Sequence, residues 1–473
     1  MKQYIRKNIA SISVIFIILV TGIIYSYISV TSHIHFQTFG WDLGYFDQLI
    51  WKISKGVYPY STLSEVNILA GHFAPILFLF APLYWIWSDP RMLLISQAFL
   101  VVFAAYPLYI ICRDKIKNFP FCLAVVFSYL FFIGTQWTIL NEFHEVAVVP
   151  LLLSLLFYAL EKEKKLLLWI CIIGLLFTKE ELALLVAAIG LTIYFHFKKK
   201  EGIYLFIFSF IFFFFLTNFF MPFISEKGTY YHPHLSSSAK TPSEFTLKLI
   251  SDPSFALTSM VNPPEKIQTL LSSLLSFSLL PFFAPISILI PVVEQFLMRF
   301  LYTGPQITVW QNINHHAAPV SILLPLASIY ATKRLVDKKN LNRARLLAFL
   351  TIVLFISSII QDIYFKAPVH SIFKKQLYET LPWMYDNFEV LKFVPQNVAF
   401  ATQNSLFPHV SQRNEIYLLP EIKNAKYIFV DLHDGPNKFS PLSYEEMKIF
   451  IDKLSKDYSV VYKKGDAILF KKD

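Results

Sequence analysis

The sequence predicts a polytopic α-helical membrane protein of about 11 crossings, with a small C-terminal extracytoplasmic α/β domain. Three observations predict it. Only 16% of the 473 residues are charged and 55% are hydrophobic, whereas soluble domains carry about 25% charged residues. Apolar runs long enough for a ~30 Å hydrocarbon core recur along most of the chain. The basic residues sit in short clusters between those runs, so the net charge of +10 marks orientation and not a nucleic-acid-binding face.

Lys2, Arg6 and Lys7 precede an apolar stretch of about 22 residues, longer than a signal-peptide core. Residues 9–31 are therefore expected to be an uncleaved first span with a cytoplasmic N-terminus. Full-length runs follow at 91–112, 119–140, 146–160, 202–222 and 345–364. Shorter or proline-broken ones lie at 165–178, 182–197, 268–283, 284–299 and 316–332. With about 11 crossings, Arg113/Lys115/Lys117, Lys162/Lys164/Lys165, Lys198/Lys199/Lys200 and Lys333/Arg334/Lys338/Lys339/Arg343/Arg345 all fall on the cytoplasmic side. The run "HFAPILFLFAPLYWIW" (72–87) is about 15 residues and broken by two prolines, and is expected to lie in the outer interface. Counting it as a crossing would invert every later cluster. Residues 32–90, 223–267 and the tail after about 366 are then outside. The expected division is a membrane domain, 1–365, and an α/β domain, 366–473. The latter has strands at "NVAFAT", "KYIFVDL" and "YSVVYKKGDAILFKK" and a helix at "SYEEMKIFIDKLSK". Cys112, Cys122 and Cys171 lie inside apolar runs and imply no disulfide framework.

Polar residues near the outer boundary are the candidates for chemistry. In "FQTFGWDLGYFDQLIWKISKGVYPY" (36–60) Leu43, Phe46, Ile50, Ile53 and Val57 recur at three- and four-residue steps, an amphipathic helix. Asp42 is placed as its N-cap, Asp47 at the edge of its apolar stripe, and Gly56 and Pro59 as its end. A capping or solvated role fits both acids, and so does a carboxylate that accepts a proton at the lipid–water boundary. "NEFHE" (141–145) reads as a polar turn between two spans or as a site. The helix before "TKEEL" (178–182) is only ~18 Å long, too short for the bilayer, so Lys179, Glu180 and Glu181 lie at or below the outer headgroups. Intramembrane charges cost about 2.5–3.5 kcal/mol each and mark function, unless Lys and Glu neutralise one another. His72 in "GHFAP" is an interfacial histidine. His315 and His316 point ~100° apart on a helix, so at most one is expected in a shared site. Arg299 is either a phosphate ligand or a headgroup anchor.

The 36–60 passage resembles the first external loop of the GT-C glycosyltransferases, integral-membrane enzymes that use lipid-linked sugars. That loop opens on an acid, with an aromatic four residues on, then apolar positions and a glycine; here these are Asp42, Phe46, Ile50, Ile53 and Gly56. Many relatives carry a second acid directly after the first, where this chain has Leu43. "WDLGYFDQLIW", "GHFAP", "NEFHEVAVVPLLL", "TKEELALL", "NHHAAP" and "SLFPHVSQRNEIYLLP" resemble a family of prokaryotic predicted membrane proteins of unknown function grouped with the GT-C clan.

The resemblance implies a transferase in a prokaryotic plasma membrane that moves a sugar from a polyprenyl-phosphate donor to an extracytoplasmic acceptor. Asp42 would be the general base and Asp47 its understudy. Glu142, His144 and Glu145 would form a metal or donor-phosphate site. Carboxylate with imidazole suits Mn²⁺ better than Mg²⁺. Lys179 matches the lysine of a Thr-Lys-Gly-Pro element thought to meet a lipid phosphate, with Glu180 and Glu181 in place of Gly-Pro. His72, Glu180, Arg299, His315 and His316 would complete the phosphate-binding set. The implied partners are a lipid-linked donor and membrane lipids, with no nucleic acid, and the oligomeric state stays open. Two alternatives stand beside this: a transporter or lipid flippase using Lys179, Glu180 and Glu181, and a membrane anchor for the external tail.

Overall fold

The computed structural model describes residues 2–230, 239, 241–304, 306–338, 342–435 and 437–473, with side chains from residue 9 onward. The side chains of Lys2, Arg6 and Lys7, Lys339, and 231–238 and 240 of the expected external segment lie outside the described residues. Helix α1 (Lys2–Ile34) leads through a π-helical turn (Gly40–Gly44) into α2 (Tyr45–Ser54), and α3 (Ala81–Ile86) precedes α4 (Arg91–Ile116). Next come α5 (Phe119–Phe131), α6 (Ile133–Leu140), α7 (Val149–Glu161), α8 (Lys165–Leu176), α9 (Leu182–Phe195) and α10 (Glu201–Ile224). The membrane part closes with α11 (Pro242–Ser251), α12 (Pro253–Val261), α13 (Glu265–Ser276), α14 (Ile286–Phe300), α15 (Ala318–Val336) and α16 (Arg343–Tyr364).

Among the described residues, α1, α4, α10 and α16 are long and apolar enough to cross a membrane, and α5 with α6, bent by 47°, makes a fifth. This is fewer than the 11 expected from apolar runs. Several of those runs fold into short helices such as α8 and α9, or carry an internal proline, as at Pro291 of α14 and Pro325 of α15. The 72–87 run forms a 3-10 turn (Pro75–Phe80) and α3, too short to cross, with Leu79, Trp85 and Ile86 exposed.

The basic clusters meet at one end of the bundle. Lys115 pairs with Glu161 at 2.8 Å and Lys162 with Asp114 at 2.6 Å, while Arg343 donates to the Ile116 carbonyl at 2.6 Å. Helices α9 and α10 touch backbone to backbone, because a Cβ on Gly190 would lie 2.7 Å from the Gly202 oxygen. Helix α13 is inside out. Lys266, Thr269, Ser273 and Ser276 are buried, and Ile267, Leu271 and Leu275 are exposed, the inverse of a soluble amphipathic helix. Its buried ammonium donates to the carbonyls of Ser259, Phe300 and Tyr302 at 2.7–3.0 Å.

Outside the bundle, β1 (Tyr60–Ser61) and β2 (Val66–Asn67) form a short hairpin. The tail adds α17 (Pro382–Leu391), β3 (Phe400–Thr402), the turn α18 (Phe407–Val410), β4 (Ile416–Leu418), β5 (Tyr427–Asp431), α19 (Tyr444–Leu454), β6 (Tyr458–Lys464) and β7 (Ala467–Lys472). The sheet order is β4-β3-β5-β7-β6; β3 runs parallel to β4 and β5, and β7 antiparallel to β5 and β6. Apolar layers cover both faces, one built on Phe400, Phe407 and Phe429, the other on Ile428, Val430 and Met447. The predicted strands correspond to β3, β5, β6 and β7 and the predicted helix to α19. Strand β4, at the sheet edge beside β3, was not expected.

Candidate functional site

The site is assembled from three distant segments at the end of the bundle opposite the basic clusters. Asp42 does not cap α2. It lies within the π turn, and the open N–H groups of that turn are taken from across the molecule: Phe39 and Leu43 donate to Glu142 Oε2 at 2.9 and 3.0 Å. Glu142 itself stands in the left-handed region (φ +56°), uncommon for a non-glycine residue. Burial, and secondarily the Asp42 carboxylate, push its acid well above the usual range. Gln97 of α4 fixes the loop by donating to the Ile139 carbonyl at 2.8 Å and accepting the His144 N–H at 2.9 Å.

With the loop so held, His144 Nε2 donates to Asp42 Oδ1 at 3.1 Å. The Asp42 side chain is 40% exposed and that of His144 only 6%, so the carboxylate is reachable while its partner is fixed. On the other face of the His144 ring lies His315, stacked at 3.5 Å between centroids, and His316 is 4.2 Å beyond. Glu145, one residue along, reaches Lys179 at 3.8 Å, and Lys179 is also 3.3 Å from Glu181.

His315, Lys179 and Glu181 open into a cavity of about 220 Å³. Its polar end also includes His316, Arg299, Gln295 and Tyr230, and its wall is apolar, with Leu182, Phe213, Phe245, Leu249 and Met298. Asp42 and His144 are not on its lining; the stacked His315 ring joins the two regions.

The remaining candidates fall elsewhere. Asp47 is fully buried and accepts from Tyr84, from Ser411 at 2.5 Å and from Gln412 at 3.1 Å. Burial pushes its acid up to about 6, against the pull of those hydrogen bonds. The expected stripe-edge position is thus a closed junction between α2, α3 and the C-terminal sheet domain. Glu180 braces the interface, accepting from His72 at 3.1 Å, the Phe73 N–H at 3.0 Å and Tyr230 at 3.0 Å. Arg299 lines the cavity; its Nε and Nη2 donate to the carbonyls of Val309, Trp310 and Gln311 and to Asn312, while its buried Nη1 has no hydrogen-bond partner. His315 and His316 both reach the cavity, against the expectation that only one would. They sit on a 3-10 turn (His315–Ala317) ahead of α15, not on the helix itself.

The expected metal-binding trio is not brought together. The carboxylate of Glu142 is used by two amides, the imidazole of His144 by Asp42, and Glu145 by Lys179. Among the described residues no three His, Cys, Asp or Glu are arranged to hold a metal ion. The residues that sequence reasoning missed are those that hold the site: Gln97, Tyr230, and Asn404 and Phe407 of the tail. They lay in segments whose proximity no periodicity encodes.

No curated protein matches the chain. Residues 32–465, which include every group of the site and nearly all of the tail, match the family described as predicted membrane protein (DUF2079), and the chain belongs to that family.

Proposed function

We propose that the protein is a GT-C-type glycosyltransferase with about 11 crossings, its tail on the extracytoplasmic side of a prokaryotic plasma membrane. It would move a sugar from a polyprenyl-phosphate donor to an acceptor hydroxyl. The observation that carries this reading is the pairing of a reachable carboxylate, Asp42, with His144 (3.1 Å) directly behind a cavity that is cationic at one end and apolar along its wall. Such a cavity suits a headgroup phosphate with a hydrocarbon tail. In the reaction Asp42 takes the acceptor proton as the new O–C bond forms at the anomeric carbon, and the C–O bond to phosphate breaks with inversion. The phosphate leaves on its lipid. Lys179 stabilises the departing charge, the phosphate taking the place of Glu181 beside its ammonium, and donors fixed before reaction are the effective kind. His144 holds Asp42 in place.

The test is turnover of a panel of polyprenyl-phosphate hexoses by the full-length protein in lipid nanodiscs. Water is the default acceptor and polyprenyl phosphate is read by mass spectrometry. Asp42→Asn is expected to lower turnover at least 100-fold, the usual scale of a lost general base, while Glu180→Gln leaves most of it. Equal turnover in the wild type and Asp42→Asn, or none from any donor, overturns the assignment.

A further inference from the structure

Open α/β sheets hold ligands at the carboxyl ends of parallel strands, where neighbouring strands send their connections in opposite directions. In the external domain that place lies at β3 and β5. Strand β3 leads to β4 on one side, and β5 leads through α19 to β6 and β7 on the other. The loop after β3 grips a turn of the membrane domain. Asn404 Oδ1 accepts the Gly40 N–H at 2.8 Å, and its Nδ2 donates to the Asn437 carbonyl, in the loop after β5, at 3.1 Å. The Phe407 side chain then packs against the two glycines of the turn. A Cβ on Gly40 would stand 3.0 Å from Phe407 Cγ, and one on Gly44 2.5 Å from Cδ1. Glu142 holds the same turn through Phe39 and Leu43. The five residues that carry Asp42 are thus clamped by two loops about 260 positions apart in sequence, as read from Glu142 and Asn404. The turn is π-helical, a rare form found frequently at functional sites.

We propose that Asn404 and Phe407 are positioning residues: the external domain takes the Gly40–Gly44 turn as its ligand, sets the Asp42 carboxylate on His144, and releases that pair when it undocks. The catalytic meaning rests on the transferase reading, but the mechanical coupling does not.

The experiment therefore reads the pair and not the turnover. Full-length protein labelled with ¹⁵N-histidine is placed in nanodiscs at pH 8, with the His144 signals assigned by their loss in His144→Gln. The wild type is expected to give one tautomer, Nε2 protonated and Nδ1 bare. Asn404→Ala, which adds no bulk, is expected to collapse the separation of the two nitrogens towards their mean, as is Gly44→Ala. Gly44→Ala with Phe407→Val, which removes the Cδ1 and Cε1 atoms that the methyl would strike, is expected to restore much of the single-tautomer signature, a rescue that general loosening would not give. Wild-type signals in Asn404→Ala overturn the proposal even if Gly44→Ala fails to fold, and so does a double variant no better than Gly44→Ala alone. Turnover measured on the same samples separates the two ideas, since a signature that moves in a protein without transferase activity keeps the coupling and removes the enzyme.

Discussion

Replacing Asp47 by asparagine is expected to remove a pH dependence from the docking of the C-terminal sheet domain. Burial raises the Asp47 pKa from 3.8 to about 6 in the folded protein. A shift of about 2 units at 1.36 kcal/mol per unit is about 3 kcal/mol. Because the folded value is the higher one, the stabilisation is complete below pH 3.8 and lost as pH rises through about 6. The wild-type junction should accordingly weaken by about 2 kcal/mol between pH 4.5 and pH 7. Asparagine keeps the shape. Its oxygen can accept from Tyr84 and Gln412, and its amide can donate to the Ser411 hydroxyl, which rotates to suit. Pulse proteolysis of the full-length protein in nanodiscs across urea, at pH 4.5, 5.5 and 7, reads the opening of the tail. The Asp89 carboxylate acts on Asp47 and on His409 across this junction, so the difference between wild type and Asp47→Asn isolates the single group. Parallel pH profiles in the two proteins, or a wild type that tightens as pH rises, would refute the reasoning.

Two further substitutions test the site and the bundle. Lys179→Met leaves Glu145 buried without its countercharge and should cost about 3–5 kcal/mol in a thermal or denaturant melt, whereas Lys179→Arg keeps the charge and most of the stability. Gly190→Ala drives a methyl against the Gly202 oxygen and the Phe206 nitrogen, both 2.7 Å away and both backbone, and should destabilise by about 1–3 kcal/mol. Gly174→Ala, which meets only the Leu152 side-chain tip at 3.0 Å, should lower the midpoint less.

Much of this architecture could be read from the chain because it follows from local composition. The apolar runs gave the long helices α1, α4, α10 and α16, and alternation gave β5, β6 and β7. The polar residues at the charge-rich turns, Asp42, His144, Glu145, Lys179 and His315, lie next to one another in the structure. What failed to show were the long-range partners. Asp42 read as a cap because the true acceptor for the turn's amides, Glu142, is about 100 residues away. Asp47 read as solvated because Ser411 and Gln412 return to cover it from the far end of the chain. The two histidines were assigned helical directions because nothing in "NHHAAP" announces a 3-10 turn before α15.

The inverted pattern of α13 bears on how the chain is built into a bilayer. Alone, that segment would leave the Lys266 ammonium, two serines and a threonine along one face without their partners. The oxygens that satisfy Lys266 belong to Ser259, Phe300 and Tyr302, and Asn312 supplies the donor for Ser273. Two of those three carbonyls are synthesised after it. The polar face of α13 is therefore satisfied only once α14 and the segment that follows it are in place.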